Sequence, residues 1–529
     1  MSPGNCILFR FTGYWRHQMK TNFPTFEAFL EAAKSARVIP VIREVFADSI
    51  SPLGIYQALA EKNDGSFLLE SAEQGIWSRF SFVGVKVRGR LFQEASGPVS
   101  WLSEDGFDAL PQDLRLDLPV APLDALDLLQ KSWRNPLKLA EIPLTSGLVG
   151  TISWDVIRDL EKLPMGPIDD NPVPRISFSL IRDLVVIDHQ SASLMIISNV
   201  FIEGQNRETL KGLYDSAYES IDEMILGLAS ASKPYLAEVD LNVEPEVRAN
   251  QTKTEFLDTV SKAKEYVRIG DVFQVVLSQR FQTELNASPL DMYRILRSLN
   301  PSPYMYLING SDSHGAYSVV GASPESLVTV SSNRVTTHPI AGSRPRGRDW
   351  EEDHALETDL LADRKETAEH LMLVDLARND LLKVCTPNSV AVTEFMQVHR
   401  FSHIMHLVST VEGELDQNFS SVDVFRATFP AGTLSGAPKP RALEIITQLE
   451  PTARGIYGGV AGYFDFSGNS DLAIAIRTAV IRDGVATVQA GAGIVLDSDP
   501  ESEFEETKSK ARAALRAIGA TSTAKILNK

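Results

Sequence analysis

The chain has 529 residues, 43% hydrophobic and 23% charged, with a formal net charge of −18. That is longer than one ordinary domain and apolar enough to bury a large core. The acidity argues against wholesale binding to a phosphate backbone, and no apolar run approaches a membrane span; Cys6 and Cys385, far apart and without CxxC spacing, leave no disulfide framework or zinc site.

The chain therefore reads as cytoplasmic, with no nucleic acid and no membrane as partner. Residues 1–24 form an N-terminal arm without the apolar segment or small-residue cleavage site of a signal peptide. Residues 25–235 form an N-terminal module with proline-rich breaks at 110–122 and 163–174. Segments 175–188 and 193–201 read as strands joined through His189-Gln190-Ser191, an acidic helix covers 206–232, and a linker spans 233–251. Residues 252–520 form a second unit. It opens with a helix over 252–269, capped by Thr252 or Thr254, and a strand over 271–283. Strands at 317–320, 327–330 and 335–338 follow, then one long helix over 353–380. Near the end a strand over 486–489 meets Gly491-Ala492-Gly493, then a strand over 494–496. The last helix starts at a capping box headed by Ser502 and stops at Gly519. The expected fold is α+β, with large antiparallel sheets packed together and covered by helices. A doubly wound parallel sheet is the runner-up, but no strand is followed by a Gly-rich turn opening a helix.

Two glycines around Ala492 allow backbone N–H groups to approach an anion, although a bulge or a close strand crossing uses the same residues. Glu503, Glu506 and Lys510 share a helical stripe that suits a hard cation beside a fixed positive charge; a solvated face with a Glu506–Lys510 pair has the same spacing. Glu369 lies in a second helix where charges interleave with apolar residues. One carboxylate from each helix, with a substrate carboxylate and water, would complete the six oxygens of Mg²⁺. His406 interrupts an apolar run, as core histidines also do, and the Gly-Thr-Leu-Ser-Gly string at 432–436 lacks the ending of a phosphate loop.

Strings spread over the second half, in order, carry a resemblance: 270–276 (GDVFQVV), 300–306 (NPSPYMY), 321–326 (GASPES), 339–347, 369–380 (EHLMLVDLARND), 432–439, 455–464 (GIYGGVAGYF) and 488–507. The first half matches more loosely, through 68–71 and 79–84. The sequence resembles the chorismate-utilising enzymes, and among them the large-component branch of the anthranilate synthases. The resemblance implies a four-layer α/β/β/α chorismate-binding fold and amination of chorismate at C2, with loss of the C4 hydroxyl and then of pyruvate, as the first step of tryptophan biosynthesis. It implies Mg²⁺ on Glu369 and Glu506, with Glu503 reaching it through water. Chorismate would lie against Gly342, Ser343, Tyr457, Arg477, Gly491, Ala492, Gly493 and Lys510. Glu325 resembles the acid that protonates the departing hydroxyl and His406 the histidine near pyruvate elimination; Gln274 and Thr433 complete the catalytic set. A hydroxide is a poor leaving group, which is why an acid belongs there.

Folate-pathway aminodeoxychorismate synthases carry a lysine where this chain has Ala341, and isochorismate and salicylate synthases carry one where it has Gln274. Neither amine is present, so ammonia is the expected nucleophile, with the folate-pathway component as the alternative. A silent chorismate- or tryptophan-binding regulator is an alternative of another class. Ser343 departs from the family's usual threonine. Glu70, Ser71, Pro303, Tyr304, Met305 and Tyr463 resemble a feedback site for L-tryptophan, although 300–306 also suits a plain turn entering a strand. Neither cysteine has the setting of a glutaminase nucleophile. The resemblance therefore implies a separate glutamine amidotransferase subunit, in a heterotetramer of two large and two small subunits.

Overall fold

The computed structural model describes residues 23–47, 49–72, 79–137, 142–167, 171–230, 235–400 and 404–527. Most of the N-terminal arm, including Cys6, lies outside them.

Two long strands, Phe80–Gln93 and Ile176–Asp188, organise the molecule. They pair antiparallel, and their register shifts three times between Gly84 and Gly89. Bulges of this kind bend a strand pair and sharpen its twist, so the two ends of this pair enter different sheets. From the end holding Phe82, one sheet continues through Phe67–Glu70, Tyr304–Asp312, Gly315–Ser323, Thr478–Arg482 and Val485–Ile494 to Gln274–Glu284. Ser193–Phe201 and Val38–Phe46 extend it the other way. From the end holding Leu91, the second sheet runs through Gly147–Ile152, Val460–Asp465, Ser470–Ile474, Ser326–Ser331 and Arg334–Thr337 to Ile404–Glu414. Ile340–Pro345 and Ala391–Arg400 flank that last strand. Among the described residues every strand pairing is antiparallel, which disposes of the doubly wound alternative.

Alternation along the strands shows the layers, because successive side chains point to opposite faces. Met305 and Leu307 pack with Leu290 and Ala514 of covering helices, whereas Tyr306 and Ile308 pack with Val149 and Ala461 of the other sheet. In that other sheet Val460 and Phe464 face helical residues such as Leu443, while Ala461 and Tyr463 face inward. The order is helix, sheet, sheet, helix, as expected from the sequence. Among the described residues no helix is long and apolar enough to cross a membrane.

Several local expectations are corrected. The helix expected over 353–380 is two, Trp350–Ala362 and Arg364–Leu381. Asp363 leaves helical geometry between them and caps the second, its carboxylate accepting from the backbone N–H groups of Lys365 and Glu366. The last helix is Pro500–Thr521, capped by Asp499 rather than Ser502, and it runs past Gly519. That glycine is needed for a close approach instead: a Cβ there would stand 2.7 Å from the Val243 carbonyl oxygen. Residues 491–493 are no nest, since they continue one extended strand, Val485–Ile494. The capping box at Thr252 with Glu255 forms, and the hairpin between 176–188 and 193–201 forms. The expected linker contributes two-residue strands at Ala237–Glu238 and Arg248–Ala249.

Candidate active site

Where the ends of strands Gln274–Glu284 and Val485–Ile494 pair, four other elements converge: the helices Arg364–Leu381 and Pro500–Thr521, the short helix Gly432–Ser435 and the loop holding Tyr457. The two glycines of the Gly491-Ala492-Gly493 run explain how these elements come so close. A Cβ on Gly491 would stand 2.6 Å from the Tyr457 hydroxyl and 2.7 Å from the Leu277 carbonyl oxygen; one on Gly493 would stand 2.5 Å from Gln274 Nε2. The Gln274 amide, packed over Gly493, donates to Glu369 Oε1 at 3.1 Å. Lys510 Nζ donates to the Gly491 carbonyl at 3.0 Å and pairs with Glu506 Oε1 at 2.7 Å. Glu369 and Glu506, 137 residues apart in the chain, are thus each linked through one side chain to the same three-residue segment.

Glu325 follows strand Gly315–Ser323, its carbonyl accepting from the Ile474 N–H. Its Oε1 accepts from the Thr433 hydroxyl at 2.8 Å. Burial pushes this carboxyl up to about 7, against the opposing effects of the Thr433 bond and the charges of Lys510 and Arg477. A buried acid that titrates near neutrality is poised for proton transfer. Thr433 is placed by tight packing: a Cβ on Gly432 would come within 2.5 Å of Leu376 in the Glu369 helix.

Arg477 sits at φ +51°, a left-handed backbone uncommon for a side chain of its size. Its guanidinium makes no hydrogen bond or ion pair among the described residues. Burial pushes its pKa down and only the charge of Glu325 opposes that. A desolvated, unpartnered guanidinium is costly, and a carboxylate matches its fork geometry. The Tyr457 phenol is buried and held well above its ordinary value, chiefly by that burial.

His406 donates from Nδ1 to the Gly342 carbonyl at 2.9 Å and lies across from Ser343 in the strand pair. Burial holds the imidazole below its ordinary value, and Arg477 pushes the same way, so it stays neutral at neutral pH. Gly342 takes φ +69°, where a Cβ would also crowd Leu360 and Glu366 at 3.1 and 3.2 Å. Ser343 is exposed on this strand.

The carboxylates bear on metal binding. Among the described residues no three His, Cys, Asp or Glu side chains are grouped closely enough to hold an ion by themselves. Yet Glu366 is pushed up by burial and then by Glu369, and Glu503 by burial and also by Glu506, while Lys365 of the first helix pulls Glu503 of the second down. The starts of the two helices thus share one field, with like charges raising each other. Oε2 of Glu369 and Oε2 of Glu506 accept no hydrogen bond from the described residues. That surplus of oxygen charge fits one hard cation completed by water and substrate oxygens.

The residues expected to hold tryptophan also assemble, away from this cleft. Glu70 pairs in register with Met305, and its carboxylate accepts from the Tyr293 hydroxyl at 2.6 Å and faces Arg297 at 3.3 Å. The Ser71 hydroxyl is buried with no partner among the described residues. The Ala72 N–H bonds the Ser302 carbonyl, beside Pro303. Tyr304 and Tyr463 are joined through a residue that sequence reasoning missed, Asp471: burial, and after it the charge of Asp471, holds both phenols well above their ordinary value. Burial pushes Asp471 itself up to about 6, and its Oδ1 has no partner among the described residues. The signal was its register opposite Tyr463 on neighbouring strands, which no spacing reveals.

The comparisons with known proteins agree with this geometry. A model of chorismate binding enzymes matches residues 88–516. The chain is 48% identical over 503 residues to anthranilate synthase component 1 of Arthrobacter globiformis, covering 94% of this chain and 93% of that one. The chain belongs to the chorismate-binding enzyme family. Within that family it is also 47% identical to anthranilate synthase component 1 of Mycolicibacterium smegmatis, covering 94% of each chain. The crystal structure of anthranilate synthase component I from Streptococcus pneumoniae superposes with a TM-score of 0.71 at 35% identity, covering 89% of this chain and 99% of that one. The menaquinone-specific isochorismate synthase MenF of Escherichia coli shares the fold, with a TM-score of 0.66 at 20% identity, covering 93% and 98%.

Proposed function

We propose that this chain is the chorismate-converting component of an anthranilate synthase, turning chorismate and ammonia into anthranilate, pyruvate and water in the first step of tryptophan biosynthesis. The observation that carries the reading is that Glu325, a buried acid titrating near 7 and bonded to Thr433, shares one cleft with the Arg477 guanidinium, which has no partner among the described residues. Arg477, Tyr457, Lys510 and the Gly491–Gly493 backbone would orient the two carboxylates of the substrate, and Gly342 and Ser343 would line its ring. Glu325 gives its proton to the C4 oxygen while ammonia bonds to C2, so that the C4–O bond breaks and water leaves. Loss of the C2 proton and cleavage of the C3–O bond then release pyruvate and make the ring aromatic. His406, bonded to the Gly342 carbonyl, would assist that second step. Glu369 and Glu506 would hold Mg²⁺, with Glu503 reaching it through water; the ion, when bound, supplies charge neutralisation for the ring carboxylate.

Gln274 supports ammonia as nucleophile, because its amide is tied to Glu369 and, unlike a lysine amine, cannot activate water. Cys385 is buried and its thiol is pushed up to about 11, far from a reactive thiolate. Glutamine use would accordingly rest on a separate amidotransferase component, in a tetramer of two large and two small subunits in the cytoplasm. Glu70, Ser71, Pro303, Tyr304, Met305 and Tyr463 would take L-tryptophan as feedback inhibitor. Incubation of the purified chain with chorismate, Mg²⁺ and ammonium should give anthranilate fluorescence and pyruvate. An aminated product that keeps its pyruvyl group would favour the folate-pathway reading, and ligand binding without turnover a regulator. Glutamine-dependent turnover by the single chain would refute the separate partner.

A further inference from the structure

Beneath the cleft lies an ion pair that none of these steps uses. Arg454 and Glu450 are 4% and 6% exposed, one turn apart at the end of helix Lys439–Leu449. Arg454 donates from Nε to Glu450 Oε2 at 2.8 Å and from Nη2 to Glu450 Oε1 at 2.7 Å. A buried pair of this kind is weak evidence for stability, since desolvation consumes most of the attraction. What distinguishes this one is where its remaining bonds go. Nη1 donates to the Leu434 carbonyl at 2.7 Å, one residue after Thr433. Nη2 donates to the Val276 carbonyl at 2.8 Å, two residues after Gln274. Glu450 Oε1 accepts from both the N–H and the hydroxyl of Ser278, at 2.8 and 2.7 Å, on the same strand. The guanidinium also lies 5.4 Å from the Tyr457 ring centre and 4.3 Å from that of Trp154, and the Tyr457 N–H bonds the Arg454 carbonyl.

We propose that Arg454, held rigid by Glu450, is the positioning residue of the active site: one planar group fixes the three elements that present Thr433, Gln274 and Tyr457 to the substrate. Its role is positional, because four of its five N–H donors are spent on the protein. Arginine suits the role, since its donors leave a flat fork at fixed angles, whereas lysine offers a single point. The inference rests on the proposed conversion of chorismate, and one of its readouts rests further on Glu325 as the catalytic acid.

The test is Arg454→Lys, which keeps a cation against Glu450 but cannot span both carbonyls. With folding verified by circular dichroism, kcat for anthranilate formation should fall by about tenfold or more while KM for chorismate moves little, because misplaced catalytic groups slow the step rather than the binding. The limb of the rate profile near neutrality should move to higher pH by about half a unit, since a slackened Thr433 no longer stabilises the ionised Glu325. Lys510, Arg477 and Tyr457 also face Glu325, and each keeps its charge state in the variant. Thr433→Val should move the limb the same way, and the double variant should lose far less than the product of the two single losses. If Arg454→Lys does not fold, Glu450→Gln carries the same measurements, with the same directions expected. A kcat within about twofold of wild type with an unmoved limb, or losses that multiply, would overturn the proposal. Glu325→Gln separates the two ideas: a limb that survives it belongs to another group, which sinks the acid assignment while the double-variant comparison still decides on Arg454.

Discussion

The cleft and the Glu70–Tyr463 region are built from similar residues and treat charge in opposite ways. In the cleft, among the described residues, Arg477 has no partner and Glu369 and Glu506 each engage one oxygen and leave the other, while Glu325 titrates near 7. Around Glu70 the carboxylate is closed off by Tyr293 and Arg297, and the phenols of Tyr304 and Tyr463 are held far above neutrality. The first arrangement leaves charge uncompensated; the second is closer to complete, although the Ser71 hydroxyl, Asp471 Oδ1 and Arg297 Nε have no partner among the described residues. A site that must stabilise developing charge keeps its groups uncompensated, whereas a site that only senses a ligand can be mostly satisfied beforehand.

The largest effect that could break this contrast is at Glu325. Glu325→Gln should reduce kcat by roughly 10²–10⁴ while chorismate binding, followed by titration calorimetry, stays close to wild type. Next is Arg477→Ala, which removes a charged hydrogen-bonding partner worth about 1.5–3 kcal/mol and should lower kcat/KM by roughly 10- to 150-fold. Its thermal midpoint should not fall, because no bond within the described protein is lost. Gly491→Ala sharpens the geometry: its methyl meets backbone at Leu277 as well as Tyr457, and overpacking should cost about 1–3 kcal/mol in denaturant titrations. The smallest effect on catalysis is at the other region. Ser71→Phe should leave turnover in ammonium salts near wild type and abolish inhibition by tryptophan; equal sensitivity in both proteins would remove Ser71 from that site.

Much of this was legible in the sequence, for reasons that differ by residue. The helix start at Thr252 was legible because capping residues are a local signal, whereas the four-layer order came through the resemblance. The split at Asp363 was hidden: the charge-rich run 353–380 keeps helical spacing across it, and only the side-chain bonds of Asp363 to the following N–H groups reveal the restart. Gly491-Ala492-Gly493 suits either an anion nest or a close approach in the sequence, and here it serves the close approach, with no Cβ beneath Tyr457 and Gln274. Glu369 and Glu506 were suggested by their helical stripes and given a role by the resemblance, whereas Glu325 and Arg477 came through resemblance alone, since they lie outside any periodic element. Asp471 and Arg454 were missed because their roles exist only across strands and turns that folding brings together.

The most direct test is the pH dependence of kcat/KM for chorismate, measured at fixed free ammonia so that the nucleophile's own titration drops out. Glu325 must be protonated to act, so the rate should fall as pH rises through about 7, and that limb should vanish in Glu325→Gln. A wild-type profile flat across that range, or a limb that Glu325→Gln leaves in place, would contradict the account.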